Sequence, residues 1–450
     1  MTHRLSRSRF PLALLFTTAL AGPAAAQTGG FWEFRPSLAI ARQEVGAAVL
    51  DGKVYVAGGI LAGTPVRFTP TVEVYDPATQ TWSSIADLPT SLHHFGMATV
   101  GGKLYVIGGY VTTFTGTDAC YSWDPATGIW TSIADLPQPR GALVAAAIGG
   151  KIYAAGGVHP TRGVVGDLTE YDPATDTWRT LPPMPTPREH LSAASLGGLF
   201  YAAGGRAGGR LFNELEAYDP TTNVWTSLRP MPTARGGNGA ATLAGKLIVI
   251  GGEGSGLPGG NFPQTEEYDV ATNAWRTRAN MRVPLHGIYP VTIDDEIFVA
   301  GGGTVQGLGA TTTVIAFRNL PSGVTPYGTS TPACFGAIDL LVNAPPTTGN
   351  PEFAFVSSPT APAGAAGLLV LGGAPDAAGT PFLGLQIHVA LAGPLLLLPV
   401  TAGAGRVARA PVLLPAAASG GTLFAQMLLA NPAGCAPNFS ASDGLSVRVR

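Results

Sequence analysis

A short apolar run ending in two glycines occurs six times in this chain, and it constrains the fold more than any other feature. The first copy is Lys53-Val54-Tyr55-Val56-Ala57-Gly58-Gly59. The six glycine pairs begin at residues 58, 108, 156, 204, 251 and 301, at intervals of 50, 48, 48, 47 and 50 residues. A tryptophan stands 26 residues before each pair, as Trp32, Trp82, Trp130, Trp178, Trp225 and Trp275. Six copies with one fixed offset cannot be independent accidents. A period near 50 residues is that of β-propeller blades, small sheets that bury their faces only against neighbouring copies.

One repeat reads as four strands, at positions a to d. Position a covers Gly46 to Leu50, and Asp51-Gly52 supplies a tight hairpin turn into position b, Lys53 to Ala57. A variable glycine-rich b–c loop leads to position c, Thr71 to Tyr75, and position d begins at Thr81-Trp82. The c–d turn Asp76-Pro77-Ala78-Thr79-Gln80 recurs with Asp first at 124, 172, 219 and 269. Asp and Pro open a type I turn, and Gly, Asn or Asp tolerates the left-handed position that closes it. An aromatic precedes each turn (Tyr75, Trp123, Tyr171, Tyr218, Tyr268) and should pack with the tryptophan between adjacent blades.

This arrangement of apolar run, glycine pair, tyrosine and tryptophan resembles the kelch motif over roughly Phe31 to Arg318. The resemblance implies a β-propeller with one four-stranded blade per repeat and position a innermost. Trp32 comes with no earlier strands of its own, and the sixth repeat has strands near Ile288–Ile293, Glu296–Ala300 and Thr313–Arg318 but no following tryptophan. The expected closure therefore makes Phe31–Phe34 the outer strand of blade six, which removes two free sheet edges. The fold class is all-β: a six-bladed propeller over 27–320 followed by a small antiparallel β-sandwich-like domain over 321–450.

The flanks fit an exported chain. Arg4, Arg7 and Arg9, an apolar run from Phe10 to Leu20 and Ala24-Ala25-Ala26 read as a secretory signal over 1–26, cleaved after Ala26. The apolar run is too short to span a bilayer, so the expectation is a secreted or periplasmic product without a membrane span. Without the three leader arginines, 23 basic face 28 acidic residues, a net charge of −5, which argues against nucleic acid as a partner. The last 130 residues carry eight charged side chains and no Lys or Trp, and their short apolar runs alternate with Gly/Pro/Ala turns, as in a small β-sandwich. Cys334 and Cys435 lie there, and export predicts a disulfide between them. Cys120 falls in register with Val72, Leu168, Leu215 and Thr265, a buried strand position. No CxxC or HExxH spacing is present, and no cofactor or metal is expected.

Chemistry is expected where the d–a and b–c loops share one face. Ten residues past the tryptophans stand Arg42, Leu92, Arg140, Arg188, Arg235 and Leu285. The four arginines either ring the channel mouth, where guanidinium would pair a carboxylate, or brace neighbouring loops. The next two positions vary: Gln43-Glu44, His93-His94, Gly141-Ala142, Glu189-His190, Gly236-Gly237 and His286-Gly287. Glu44, Glu189, His93, His94, His190 and His286 could line a concave mouth for a sugar or peptide, with His190 and His286 exposed at its rim. The expected function is that of a monomeric, non-catalytic binding protein for a glycan or protein ligand, by analogy with the resembled family. An enzyme remains the alternative. Exported sialic-acid mutarotases and galactose-oxidase-like copper enzymes also carry such propellers. The latter require a tyrosine linked to cysteine plus two histidines, and Cys120 is the sole propeller cysteine.

Overall fold

The computed structural model describes residues 29–320 apart from 255. Beyond them it describes 324–327, 340–342, 354–357, 365–373, 375–382, 385–389, 395–401, 408–412, 414, 419, 422–430, 439–442 and 444–448. The expected leader, Cys334 and Cys435 lie outside the described residues.

Six four-stranded antiparallel sheets follow the repeat, each ordered a, b, c, d. Their innermost strands are Gly46–Leu50, Gly96–Val100, Val144–Ile148, Ser192–Leu196, Gly239–Leu243 and Val291–Ile293. Each touches the next, and Val291–Ile293 touches Gly46–Leu50, so the sheets close into a ring. Position c is shifted by one residue from the expectation, to Val72–Asp76. The ladder ends at Ala57 opposite Val72 because the next residue of the partner strand, Gly58, is left-handed at φ 61° and turns out of the pairing. The first strand of blade six starts only at Val291 because Pro290 has no N–H to give a ladder.

The turn chemistry explains the regularity of the outer rim. The Oδ1 atoms of Asp76, Asp124, Asp172, Asp219 and Asp269 each accept from the backbone N–H two residues on, at 2.8–2.9 Å. The closing residues Gln80, Gly128, Asp176, Asn223 and Asn273 are all left-handed, with φ between 50° and 71°. Gly58 shows why the repeat ends in glycine. Its φ is 61°, and a Cβ there would sit 2.4 Å from the Leu92 carbonyl oxygen of the neighbouring blade. That carbonyl accepts from Gly59 N–H at 2.8 Å, so the missing side chain lets two blades touch backbone to backbone.

Every tryptophan faces its aromatic partner directly across positions c and d, as in Tyr75↔Trp82 and Tyr171↔Trp178. Ring centroids of these pairs lie 5.1–5.2 Å apart. The indole N–H of each of the six repeat tryptophans reaches back to a carbonyl of the preceding blade, as Trp82 does to Pro36 at 2.7 Å and Trp130 to Ala86 at 2.9 Å. The expected closure is present. Phe31–Phe34 pairs antiparallel with Val314–Arg318 as the outer strand of the sixth sheet, with Trp32 opposite Phe317.

Beyond the propeller strands, Ala366–Gly372 is flanked by Thr422–Ala430 and Leu395–Thr401, and Gly444–Arg448 and Val324–Tyr327 extend the sheet. Leu340–Val342, Ala354–Ser357 and Arg409–Pro411 form a second sheet. Leu369, Met427 and Leu445 of the first sheet share one apolar cluster with Leu340, Phe355 and Ala410 of the second. That is the expected sandwich-like packing. No helix among the described residues is long and apolar enough to cross a membrane.

Candidate functional site

Where the d–a loops reach the axis, the backbone itself closes a ring. Glu44 N–H donates to Gly287 O, His94 to Glu44 O, Ala142 to His94 O, His190 to Ala142 O, Gly237 to His190 O and Gly287 to Gly237 O, at 2.8–3.2 Å. All six residues are left-handed, with φ between 50° and 62°. This conformation costs a non-glycine residue roughly 1–2 kcal/mol. Glu44, His94, Ala142 and His190 hold it nonetheless, and the ring fixes their Cβ directions toward one another. Gly287 provides the room, since a Cβ there would lie 2.4 Å from Glu44 Oε1.

The side chains on this ring form a connected polar cluster. His94 Nε2 lies 2.9 Å from His190 Nε2 and 3.2 Å from Glu44 Oε2. His93 Nδ1 contacts His94 Nδ1 at 2.5 Å, and His93 Nε2 meets the Thr112 carbonyl at 2.8 Å. His190 Nδ1 is bound to the Glu189 carboxylate. Arg206 donates to Glu189 Oε1 at 3.0 Å, to Glu253 Oε1 at 2.5 Å and to His190 Nε2 at 3.0 Å. His286 Nε2 lies 3.6 Å from Glu253 Oε2 and 3.9 Å from Glu44 Oε1. Among the described residues, Glu44, His94 and His190 form a group whose ligand atoms all fall within 4.8 Å of one another.

Burial sets the charge states. It pushes His93 down to about 4 and His94 well below the usual histidine range, His94 further through the neighbouring His190 and His93. Burial also raises the Glu44 carboxyl, against the pull of His190 and His286. Burial would raise Glu189 and Glu253 as well, but the hydrogen bond from His190 and the Arg206 charge hold Glu189 below the usual range. His286, the Gly307 N–H and Arg206 do the same for Glu253.

The cavity against this cluster is small, about 50 Å³, and is lined by Glu44, His94, His190 and the apolar residues Phe95, Leu143 and Ile288. Tyr289 bounds it. The Tyr289 hydroxyl crosses the axis from blade six to lie 2.9 Å from the Met97 carbonyl and 2.7 Å from the Ala145 carbonyl. On the far side the channel widens to about 240 Å³, walled by Ala47, Ala98, Ala146 and Ala194.

Of the two alternatives for the repeat arginines, the ring at the mouth is not formed. Arg42, Arg140, Arg188 and Arg235 are fully buried and turned into their blades. Arg188 donates to the Glu214 and Ala202 carbonyls and to Glu216 Oε2 at 3.0–3.1 Å, and Arg235 to Glu266 Oε2 at 2.9 Å. Arg42 pairs with Glu73, and Arg140 caps the Gly156 and Asp167 carbonyls. The bracing alternative describes all four: fixed guanidinium forks satisfy strand-end carbonyls that water cannot reach. His286 is also corrected from exposed rim to buried, and His190 is largely covered. Gln43 clamps the b–c loop of blade six, donating to Gly307 O at 2.5 Å and accepting from Gly309 N–H at 2.6 Å. His93 stacks on Phe68 with centroids 4.5 Å apart. Cys120 is buried in its strand, as its register implied, with its thiol donating to the Asp118 carbonyl at 3.3 Å.

Two cluster members, Arg206 and Glu253, escaped the sequence reading. Each directly follows a glycine pair and bridges back to the d–a loop, Arg206 to Glu189 and Glu253 to Gly236. Reading the position directly after each glycine pair, in addition to the d–a loop positions, would have brought both to the mouth.

The chain matches the family model described as the KLHDC2/KLHL20/DRC7 Kelch-repeats domain over residues 44–184 and 94–302, together more than half its length. It is 39% identical to Kelch-like protein 28 of Homo sapiens over 84 residues, covering 18% of this chain and 15% of that one. It is 42% identical to an F-box/kelch-repeat protein of Arabidopsis thaliana over 81 residues, covering 17% of this chain and 21% of that one. The chain thus spans about a fifth or less of the length of these curated relatives. The solved structure of YjhT superposes with a TM-score of 0.53 at 17% identity, covering 63% of this chain and 99% of that one, a likeness of fold.

Proposed function

Because the chain belongs to the kelch-repeat family, we propose that it is a non-catalytic interaction protein whose b–c/d–a loop face docks a protein ligand. The observation that carries this reading is the distribution of exposed apolar side chains. Of the eight exposed large apolar side chains among the described propeller residues, Val66, Phe114, Leu257, Val305 and Leu308 sit on b–c loops of blades one, two, five and six, Phe114 being exposed by 78%, while Ile129, Val224 and Val270 sit at the c–d turns. The b–c side is the richer of the two, and clustered exposed apolar residues mark an interaction surface. A glycan ligand has less support. The axial cavity of about 50 Å³ falls short of the roughly 300 Å³ at which small-molecule sites begin.

Export rests on the leader pattern of 1–26, and in this reading the mature chain is monomeric with residues 321–450 as an accessory module. The mutarotase alternative draws on the four repeat arginines at the mouth, of which Arg188 and Arg235 are committed to strand ends, and Arg206, which does reach the mouth, is already paired to Glu189 and Glu253. The copper-oxidase alternative needs a cysteine there, and Cys120 lies in a strand against Ile107.

The test places a photo-crosslinking amino acid at position 114 or, as a control on the c–d turn side, at 129. Cell-envelope proteins cross-linked from 114 but not 129, and lost on Leu308→Ser, support the reading. Tight glycan binding or turnover of an acidic sugar, unaffected by Phe114→Ser, would overturn it.

A further inference from the structure

The geometry points to a binding site for one divalent transition-metal ion of the zinc class on the propeller axis, held by His94 Nε2, His190 Nε2 and a Glu44 carboxylate oxygen. The inference does not depend on the loop-face reading.

The hydrogen bonds assign the tautomers. The Thr112 carbonyl only accepts, so His93 carries its proton on Nε2 and presents a lone pair at Nδ1. His94 must therefore donate from Nδ1, which leaves Nε2 as a lone pair. His190 gives its Nδ1 proton to Glu189, which leaves its Nε2 as a lone pair too. With Glu44 Oε2, three acceptors then converge at 2.9 and 3.2 Å, and the donor that reaches them is Arg206, 3.0 Å from His190 Nε2. His94 Nε2 faces two other acceptors without a proton of its own to give, a contact that a cation at the centre would relieve. A tetrahedral zinc ion with bonds near 2.0–2.1 Å separates its ligands by about 3.3 Å. The two measured edges are close to that, and the third lies within 4.8 Å.

Charge supports the same ion. Glu44, Glu189 and Glu253 share one guanidinium, Arg206, so the carboxyl groups of the cluster outnumber its fixed cations, an environment that favours a divalent cation. Arg206 must surrender its contact to His190 Nε2, but its ion pairs to Glu189 and Glu253 hold it in place. The support around the ligands is also that of a metal site: Glu189 behind His190 and His93 behind His94 fix each ring and its tautomer. Side-chain exposures of 8–10% at the three ligands leave a path in, and a cavity of about 50 Å³ admits one coordinated water.

The test uses the full chain, stripped with chelator and titrated with zinc and cobalt(II). One ion per chain should bind, cobalt should show the intense visible absorption of four-coordinate nitrogen/oxygen ligation, and zinc should raise the melting temperature. His94→Gln, His190→Gln and Glu44→Gln should each lower affinity at least 100-fold, beyond the ~10–100-fold typical of losing a supporting partner. Glu189→Gln should fall within that smaller range. His159→Gln, paired to Gln138 outside the cluster, should leave affinity unchanged. Melting in chelator identifies any variant that fails to fold, and the wild-type cobalt spectrum stands without the variants. Absence of a tightly held ion, equal affinity in His190→Gln, or a thiolate charge-transfer band abolished by alkylation would each overturn the assignment.

Discussion

Trp32 Nε1 donates to the Ala279 carbonyl at 3.0 Å across 247 residues of chain, repeating at the seam the contact that Trp82 makes to Pro36 within the continuous chain. The indole is also tilted over Phe317 with centroids 5.3 Å apart. Closure therefore uses the same interface as every other blade boundary.

Trp32→Ala should lower unfolding free energy by about 3–5 kcal/mol, the range for large aromatic truncations in a core. Denaturant titration checks this. A midpoint equal to that of the intact chain would show that the strand is dispensable.

Arg188→Met removes the cation paired with buried Glu216 and should cost about 3–5 kcal/mol. Adding Glu216→Leu should restore much of that loss, because the orphaned carboxylate is then gone. A double-mutant cycle in urea measures the coupling, and additive losses would contradict the bracing role.

Gly58→Ala and Gly102→Ala both place a side chain on a left-handed residue, φ 61° and 73°. Gly102 has open space, so its cost should stay near 1 kcal/mol. Gly58 meets the Leu92 carbonyl, so its cost should exceed about 2 kcal/mol. Equal melting temperatures for the two would mean that the blade contact is slack.

Burial pushes the Cys120 thiol up to about 12, so at pH 8 only about one molecule in 10⁴ is thiolate. Alkylation followed by peptide mapping should leave Cys120 unmodified in the native chain and modify it fully in denaturant. Rapid native labelling would place it at an accessible site.

The repeat made the blades legible because its residues act locally. Asp76 and Gln80 make a turn wherever they sit, and the tryptophan offset fixes strand register, so even the outer strand Phe31–Phe34 could be placed. Side-chain direction was not legible. The spacing put Arg188 and His190 in the same loop, yet one turns into the blade and the other onto the axis, because the left-handed φ of His190 redirects its Cβ. The metal-type cluster was hidden for a related reason. Its ligands come from blades one, two and four, 50 to 146 residues apart in sequence, and no local spacing records that they converge.

The register of the closing strand also has a mechanical meaning. Phe31 lies opposite Arg318 and Phe34 opposite Ile315, so the chain enters and leaves this sheet at the same end. Tension applied through the residues before Phe31 and after Arg318 loads the pair one hydrogen bond at a time, in peeling geometry instead of in shear. The seam that buries an indole is thus also the one whose geometry lets it unzip when the chain is pulled from those two flanks.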